Sequence, residues 1–156
     1  MPVSDPRLLN RAAEELALAV AEAGELALSH FRHAPRRWRK SDGTPVSEAD
    51  IAVDDLLKSR LAGEFPDFGW ISEESVHFAP GGREPTWIVD PIDGTRSFLD
   101  GDDGWCIAAA LLEGGRPVLA AVLQPSTGEH FEAERDGGEQ RHEHHRREPV
   151  PAFRHR

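Results

Sequence analysis

The chain has 156 residues, 38% of them hydrophobic, enough to build the core of one ordinary domain or of a large piece of a bigger one. Its 28 acidic residues outnumber 18 basic ones, and a formal net charge of -10 argues against non-specific attraction to nucleic acid or an anionic membrane and suits a metal-using site. The single cysteine, Cys106, excludes an internal disulfide and a Cys-cluster zinc site; with no signal pattern and no apolar run near the roughly 20 residues of a membrane helix, the reading is a soluble cytoplasmic protein.

Asp5-Pro6 is a helix start, since Asp caps free N–H groups and Pro fits the first turn. Leu9, Ala12, Ala13, Leu16, Val20, Ala23 and Ala27 then recur at helical spacing, predicting a long amphipathic helix that ends near His33. "RHAPRRWRK" reads as a basic break and "SDGTP" as a turn. A second helix is predicted from Ser47, which with Asp50 makes a capping-box pattern, and it points Val53, Leu56, Leu57 and Leu61 inward until "EFPDFG" stops it. Short extended runs follow at Phe68–Ser72, Thr86–Val89, Trp105–Leu112 and Pro117–Leu123, the last two joined through Gly114-Gly115 as a β-hairpin. Helices followed by strands indicate an α+β or layered α/β arrangement, and the apolar flanks of Cys106 predict a buried structural thiol.

The chemistry concentrates in "WIVDPIDGTRSF", Trp87 to Phe98. Trp87, Ile88 and Val89 read as the end of a buried strand, with Asp90 leaving the core, Pro91 bending the chain and Gly94 permitting a tight backbone before Thr95 opens a helical turn. Two carboxylates so close, Asp90 and Asp93, repel unless a cation sits between them. A hard dication such as Mg²⁺ suits these oxygens, and the Ile92 carbonyl can add another; the N–H groups of Gly94 and Thr95 would face a phosphate. Upstream, "WISEES" is again an apolar strand running into acids, Glu73 and Glu74. If the two strand ends are neighbours, Glu73 completes the metal site and, with the Thr95 hydroxyl, holds a water for in-line attack on phosphorus. Isolated acids at strand ends are usually solvated charges or caps; the whole string, not the pair of acids, sets this one apart.

The string "WIVDPIDGT" resembles the signature of the inositol monophosphatase-like family of Mg²⁺-dependent, lithium-sensitive phosphatases, a hydrophobic strand followed by D-P-(I/L)-D-G-(S/T). Ser72-Glu73-Glu74-Ser75 is similar to the family's preceding acidic motif and "DGTPVSEAD" to its segment with a Thr or Ser before an Asp; the resemblance runs from about Leu8 to Glu134. It implies a layered α-β sandwich of the sugar-phosphatase type, of which residues 1–134 are the N-terminal half. It also implies Glu73, Asp90, the Ile92 carbonyl and Asp93 as metal ligands, Thr95 and Glu73 orienting the nucleophilic water, and Gly94 and Thr95 binding phosphate. Asp50 falls in the outer acidic shell, with its capping role an equal reading. Arg96 and Ser97 are expected near the mouth. The implied partner is a small phosphorylated substrate, an inositol phosphate, histidinol phosphate or a 3'(2'),5'-bisphosphate nucleotide, and the implied assembly is a homodimer.

The family's second half carries W-D-x-x-(A/G)-(A/G), whose aspartate is a further metal ligand, and no such motif follows Phe131. Residues 135–156, "RDGGEQRHEHHRREPVPAFRHR", read as a disordered Arg/His-rich tail: a metal tract at His142, His144 and His145, a weakly basic arm, or a frameshift product of GC-rich coding DNA, favoured by the excess of arginine over lysine. The expectation is a phosphatase impaired by truncation, with an exposed apolar face that lowers solubility or drives self-association. The rival from another class is a catalytically inactive, metal-binding fragment.

Overall fold

A computed structural model describes residues 3, 5–77, 85–135 and 138–143. Helix α1 (Pro6–His30) begins where the Asp5 side chain accepts the Arg7 N–H. It ends at His30 rather than near His33, because Phe31 is extended and Arg32 and Ala34 take left-handed φ values of 61° and 48°. The expected basic break contains strand β1 (Arg37–Arg39), paired antiparallel with β2 (Pro45–Ser47) across the predicted turn. Helix α2 (Glu48–Glu64) carries the full capping box, with the Ser47 hydroxyl accepting the Ala49 and Asp50 N–H groups and the Asp50 carboxylate accepting the Ser47 N–H.

Seven strands form one sheet in the order β4-β3-β5-β6-β7-β8-β9: β3 (Gly69–Ser72), β4 (Val76–His77), β5 (Thr86–Asp93), β6 (Cys106–Glu113), β7 (Arg116–Gln124), β8 (Glu129–Glu134) and β9 (Gly138–Glu143). All neighbours are antiparallel except β3 and β5, which run parallel in the register Gly69↔Thr86 to Ser72↔Val89. Gly114 and Gly115 both take positive φ, 58° and 74°, and close the predicted β6–β7 hairpin with the twist such strands prefer. Helix α3 (Thr95–Asp100) follows β5 directly.

Besides β1, β2 and the short β4, the last two strands also depart from the sequence reading. The charge-rich "EHFEAE" of β8 has no strong strand composition, yet it pairs along β7 from Leu119↔Glu134 to Gln124↔Glu129. Residues 138–143, placed in a disordered tail by composition, form β9 on the edge of the sheet, where backbone pairing with β8 needs no apolar side chains. Residues 144–156, with His144 and His145, lie outside the described residues.

Helices α1 and α2 pack against each other and on one face of the sheet. The core between them buries Leu16, Val20, Leu57, Trp87, Ile107 and Leu111. A Cβ on Gly24 would stand 2.6 Å from a Leu123 methyl, so glycine there sets how closely α1 lies on β7. Alternate residues point to the other face: Ile71, Ile88 and Ala110 share a cross-strand row and are only half-buried, Ile88 being 38% exposed. Among the described residues no helix covers that face, which is the apolar surface expected from the sequence.

Leu57 is fully buried, whereas Leu18 is 57% exposed on the outer side of α1. Leu57→Ala is expected to lower unfolding free energy by about 2–5 kcal/mol in urea titrations, and Leu18→Ala by less than about 0.5 kcal/mol. Equal effects would mean that the inward face of the helical layer is assigned wrongly.

Candidate active site

The parallel pairing of β3 and β5 makes the two acid-bearing strand ends neighbours, as the motif reading required. Ser72 lies opposite Val89, and the Glu73 N–H donates to the Val89 carbonyl at 3.3 Å. Strand β5 does not end at Val89, however. It continues through Asp93 with a register shift, Asp90 pairing with Ala108 and Asp93 with Cys106, so three steps on β5 match two on β6. In a regular strand residues three apart face opposite sides; the extra residue of the bulge reverses that and brings both carboxylates to one side. Pro91, which has no N–H to give the ladder, sits within this bulge.

Asp90 and Asp93 come within hydrogen-bonding reach of each other. Partial burial, then the charges of Asp93 and Glu73, push the Asp90 carboxyl up from 3.8 to about 7. The thiol of Cys106 donates toward Asp93 Oδ2 at 3.9 Å, and burial together with Asp93 and Asp90 pushes it up to about 11. Cys106 is thus half-buried beside the acids rather than deep in the core, and it stays protonated, unfit as a nucleophile.

Gly94 turns the chain out of the bulge with φ 86° and ψ 41°. A Cβ there would meet the Gly104 carbonyl oxygen at 2.5 Å, so both conformation and space demand glycine. Thr95 follows at the start of α3, which is anchored from behind by Phe98, edge-on to Trp105 at 4.8 Å and tilted against Phe31 at 5.5 Å. The Thr95 hydroxyl lies 2.9 Å from Asp50 Oδ1 and 3.1 Å from the Ile92 carbonyl. It has one proton, and the carboxylate is the stronger acceptor. Asp50 is 2% exposed, and its other oxygen accepts the Ser47 N–H at 2.9 Å and the Ser47 hydroxyl at 2.7 Å. The two readings of Asp50 therefore hold together: it caps α2 and it fixes the Thr95 hydroxyl.

Glu73 is exposed on the β3 side of the cleft. Among the described residues no three His, Cys, Asp or Glu side chains gather closely enough to hold a metal ion, so Glu73 reaches Asp90 as a charge and not as a member of a closed cage. On the same turn, Lys40 holds the backbone from the other side. Lys40 Nζ pairs with Glu74 at 2.9 Å and donates to the Glu73 carbonyl at 3.2 Å. Burial works to lower the Lys40 pKa, and the bond and charge of Glu74, with Glu73 and Asp50 behind, overcome it and raise the value. The donor set of carboxylates and the Ile92 carbonyl is all oxygen, and the raised Asp90 shows negative charge without a counter-cation; both fit a hard dication such as Mg²⁺.

Sequence reading missed Lys40 and a second buried acid, Asp54, which is 3% exposed. Asp54 accepts the Ser72 hydroxyl at 2.5 Å and the Ser75 hydroxyl at 2.7 Å; Ser75 in turn accepts the Trp70 indole N–H at 2.9 Å, and Ser72 accepts the backbone N–H of Glu74. The turn bearing Glu73 and Glu74 is thereby fastened to α2. A signal was available: Asp54 lies one turn beyond Asp50, between the inward-facing Val53 and Leu57.

The inositol monophosphatase family model matches residues 9–152, which includes most of the 135–156 segment read as a tail. The chain belongs to the inositol monophosphatase family. A histidinol-phosphatase of Chlorobaculum parvum is 40% identical over 126 residues, covering 80% of this chain and 48% of that protein. A 3'(2'),5'-bisphosphate nucleotidase CysQ of Aggregatibacter actinomycetemcomitans is 28% identical over 145 residues, covering 91% and 52%. Among solved structures, the extragenic suppressor protein suhB of Bartonella henselae superposes with a TM-score of 0.77 at 27% identity, over 84% of this chain and 51% of that one. The chain spans about half the length of the curated relatives it matches.

Because the folded chain holds a proton on Asp90 that the unfolded chain releases, stability present below pH 3.8 is lost as pH rises toward about 7. In EDTA, Asp90→Asn should raise the melting temperature at pH 8 and flatten the decline between pH 4 and 7. An unchanged pH profile would show that the two acids do not repel as described.

Proposed function

We propose that the Asp90–Thr95 corner hydrolyses a small phosphomonoester with Mg²⁺ as its ion. The observation that carries this reading is the joint arrangement in which the β5 bulge pairs Asp90 with Asp93 while buried Asp50 holds the Thr95 hydroxyl beside them. Asp90, Asp93, the Ile92 carbonyl and Glu73 are the residues that would hold the ion. When bound, Mg²⁺ supplies charge neutralisation and polarises the phosphoryl oxygens. Thr95, with its proton directed to Asp50, presents its lone pairs to a water, and Glu73 faces the same cleft as the second acceptor. That water adds to phosphorus in line as Glu73 takes one of its protons, the ester P–O bond breaks, and the departing alkoxide takes up a proton from Glu73 or from solvent water, which leaves an alcohol and inorganic phosphate. Gly94 and Thr95 are the backbone groups for the phosphate, and the glycine that the close Gly104 carbonyl requires sets the turn that presents them.

The relative at 40% identity makes histidinol phosphate the first substrate to assay, with a 3'(2'),5'-bisphosphate nucleotide second. A catalytically inactive, Mg²⁺-binding fragment is the second reading, supported by the half-length coverage of the relatives.

Phosphate release from histidinol phosphate by the purified chain, with and without Mg²⁺, tests the proposal. Release should require Mg²⁺ and fall at least about 100-fold in Asp93→Asn. Mg²⁺-dependent release unchanged by Asp93→Asn would remove the corner from the chemistry. Mg²⁺-induced thermal stabilisation without release from either substrate would favour the inactive fragment.

A further inference from the structure

Arg32, two residues beyond the end of α1, takes a left-handed φ of 61°, a conformation that a residue with a Cβ keeps only where its surroundings enforce it. Its guanidinium lies over the Phe31 ring, 4.7 Å from the centroid, and its Nε donates to the Gly101 carbonyl at 3.0 Å. Gly101 is the C-cap of α3, so a cation meets a carbonyl where the helix leaves such groups unpaired. The 101–104 loop that leads on to β6 has two further braces. The Asp102 N–H donates to the Ser97 carbonyl at 2.9 Å, and Gln124 Nε2 donates to the Asp103 carbonyl at 2.6 Å. On its other side the loop presses on the acidic corner, where a Cβ at Gly94 would stand 2.5 Å from the Gly104 carbonyl oxygen and 3.2 Å from Trp105 Cα. The place of the loop therefore fixes the place of Gly94, and Gly94 leads directly into Thr95, whose hydroxyl is held by Asp50.

Two polar contacts of Arg32 reach this loop, and they differ in weight. Its Nη2 is 3.5 Å from Asp103, whose side chain is 56% exposed, an ion pair that water screens. The bond to Gly101 is shorter and charge-assisted, and the Arg32 side chain is only 17% exposed. The rings of Phe31, Phe98 and Trp105 pack the same region, but ring contacts do not fix the direction of a carbonyl, whereas a hydrogen bond does. We propose that Arg32 is a positioning residue of the Asp90–Thr95 corner: it holds the 101–104 loop against Gly94, and so sets the approach of Thr95 to Asp50, without touching substrate or ion. Its consequence for turnover rests on the phosphatase reading; its hold on the loop does not.

Amide hydrogen exchange followed by NMR on the full chain reads the loop without turnover. The N–H groups of Phe98, Gly101, Asp102 and Trp105 all donate within α3 and the loop. In Arg32→Gln they should exchange at least about tenfold faster than in the wild-type chain, with residues 107–111 of β6 unchanged. Arg32→Lys keeps the charge and loses the rigid fork, so it should fall between, and it carries the comparison if Arg32→Gln does not fold. Asp103→Ala should change exchange by less than about twofold. With Mg²⁺ and histidinol phosphate, kcat should fall about tenfold in Arg32→Gln while KM changes by less than about threefold. Unchanged exchange at the four amides, or a rise that extends equally through β6, would overturn the hold of Arg32 on the loop. Faster loop exchange with kcat unchanged would overturn its positioning role. A wild-type chain that releases no phosphate would end the phosphatase reading, and the exchange contrast would still decide whether Arg32 fixes the corner.

Discussion

Two buried carboxylates one turn apart on α2 hold the site together. Asp50 ties Thr95, at the end of β5, to the start of α2; Asp54 ties Ser72 and Ser75, at the end of β3, to the next turn of the same helix. Each is almost fully removed from water, and burying a carboxylate is tolerable only where its oxygens are met by donors. The donors here come from the two loops that need positioning. Satisfying the buried charge and aligning these two loops are therefore one structural solution, and α2 serves as the ruler between the two strand ends.

On that frame the local backbone of β5 does what side chains alone cannot. The bulge between Asp90 and Asp93 brings together two acids that a regular strand would separate, and Gly94 carries the chain away in a conformation and a space closed to other residues. The resulting crowding raises Asp90 toward neutrality, a cost in folding that a bound cation offsets. Lys40 relieves part of the charge from the opposite rim by holding Glu74 and the Glu73 carbonyl. The acid pair and its neighbours thus concentrate negative charge that Lys40 only partly offsets.

Helix α3 joins this corner to a basic groove that Arg37, Arg39 and Arg96 line beside the β1–β2 hairpin. Its inward residues are committed to Asp50 and to the Phe31–Trp105 cluster, so its outward residues are free to face the hairpin. One short helix thus borders an acidic cleft on one side and a positive groove on the other, two adjoining surfaces of opposite charge in a chain that is acidic overall.

Local chemistry was legible in the sequence by itself: the D-P-I-D-G-T string and its family, the capping box of Ser47 and Asp50, the Gly114-Gly115 hairpin, and the strand-into-acid pattern at Glu73 and Asp90. Each depends on residues close along the chain, where spacing maps directly onto geometry. Only the tertiary structure decided which distant segments meet. It paired "RWR" with "PVS", added β8 and the edge strand β9 to the sheet without apolar patterning, assigned Asp54 to Ser72 and Ser75, and brought Arg37 and Arg39 near Arg96. Backbone ladders, buried hydrogen bonds and charge clusters between remote segments carry no fixed spacing, so no local pattern encodes them.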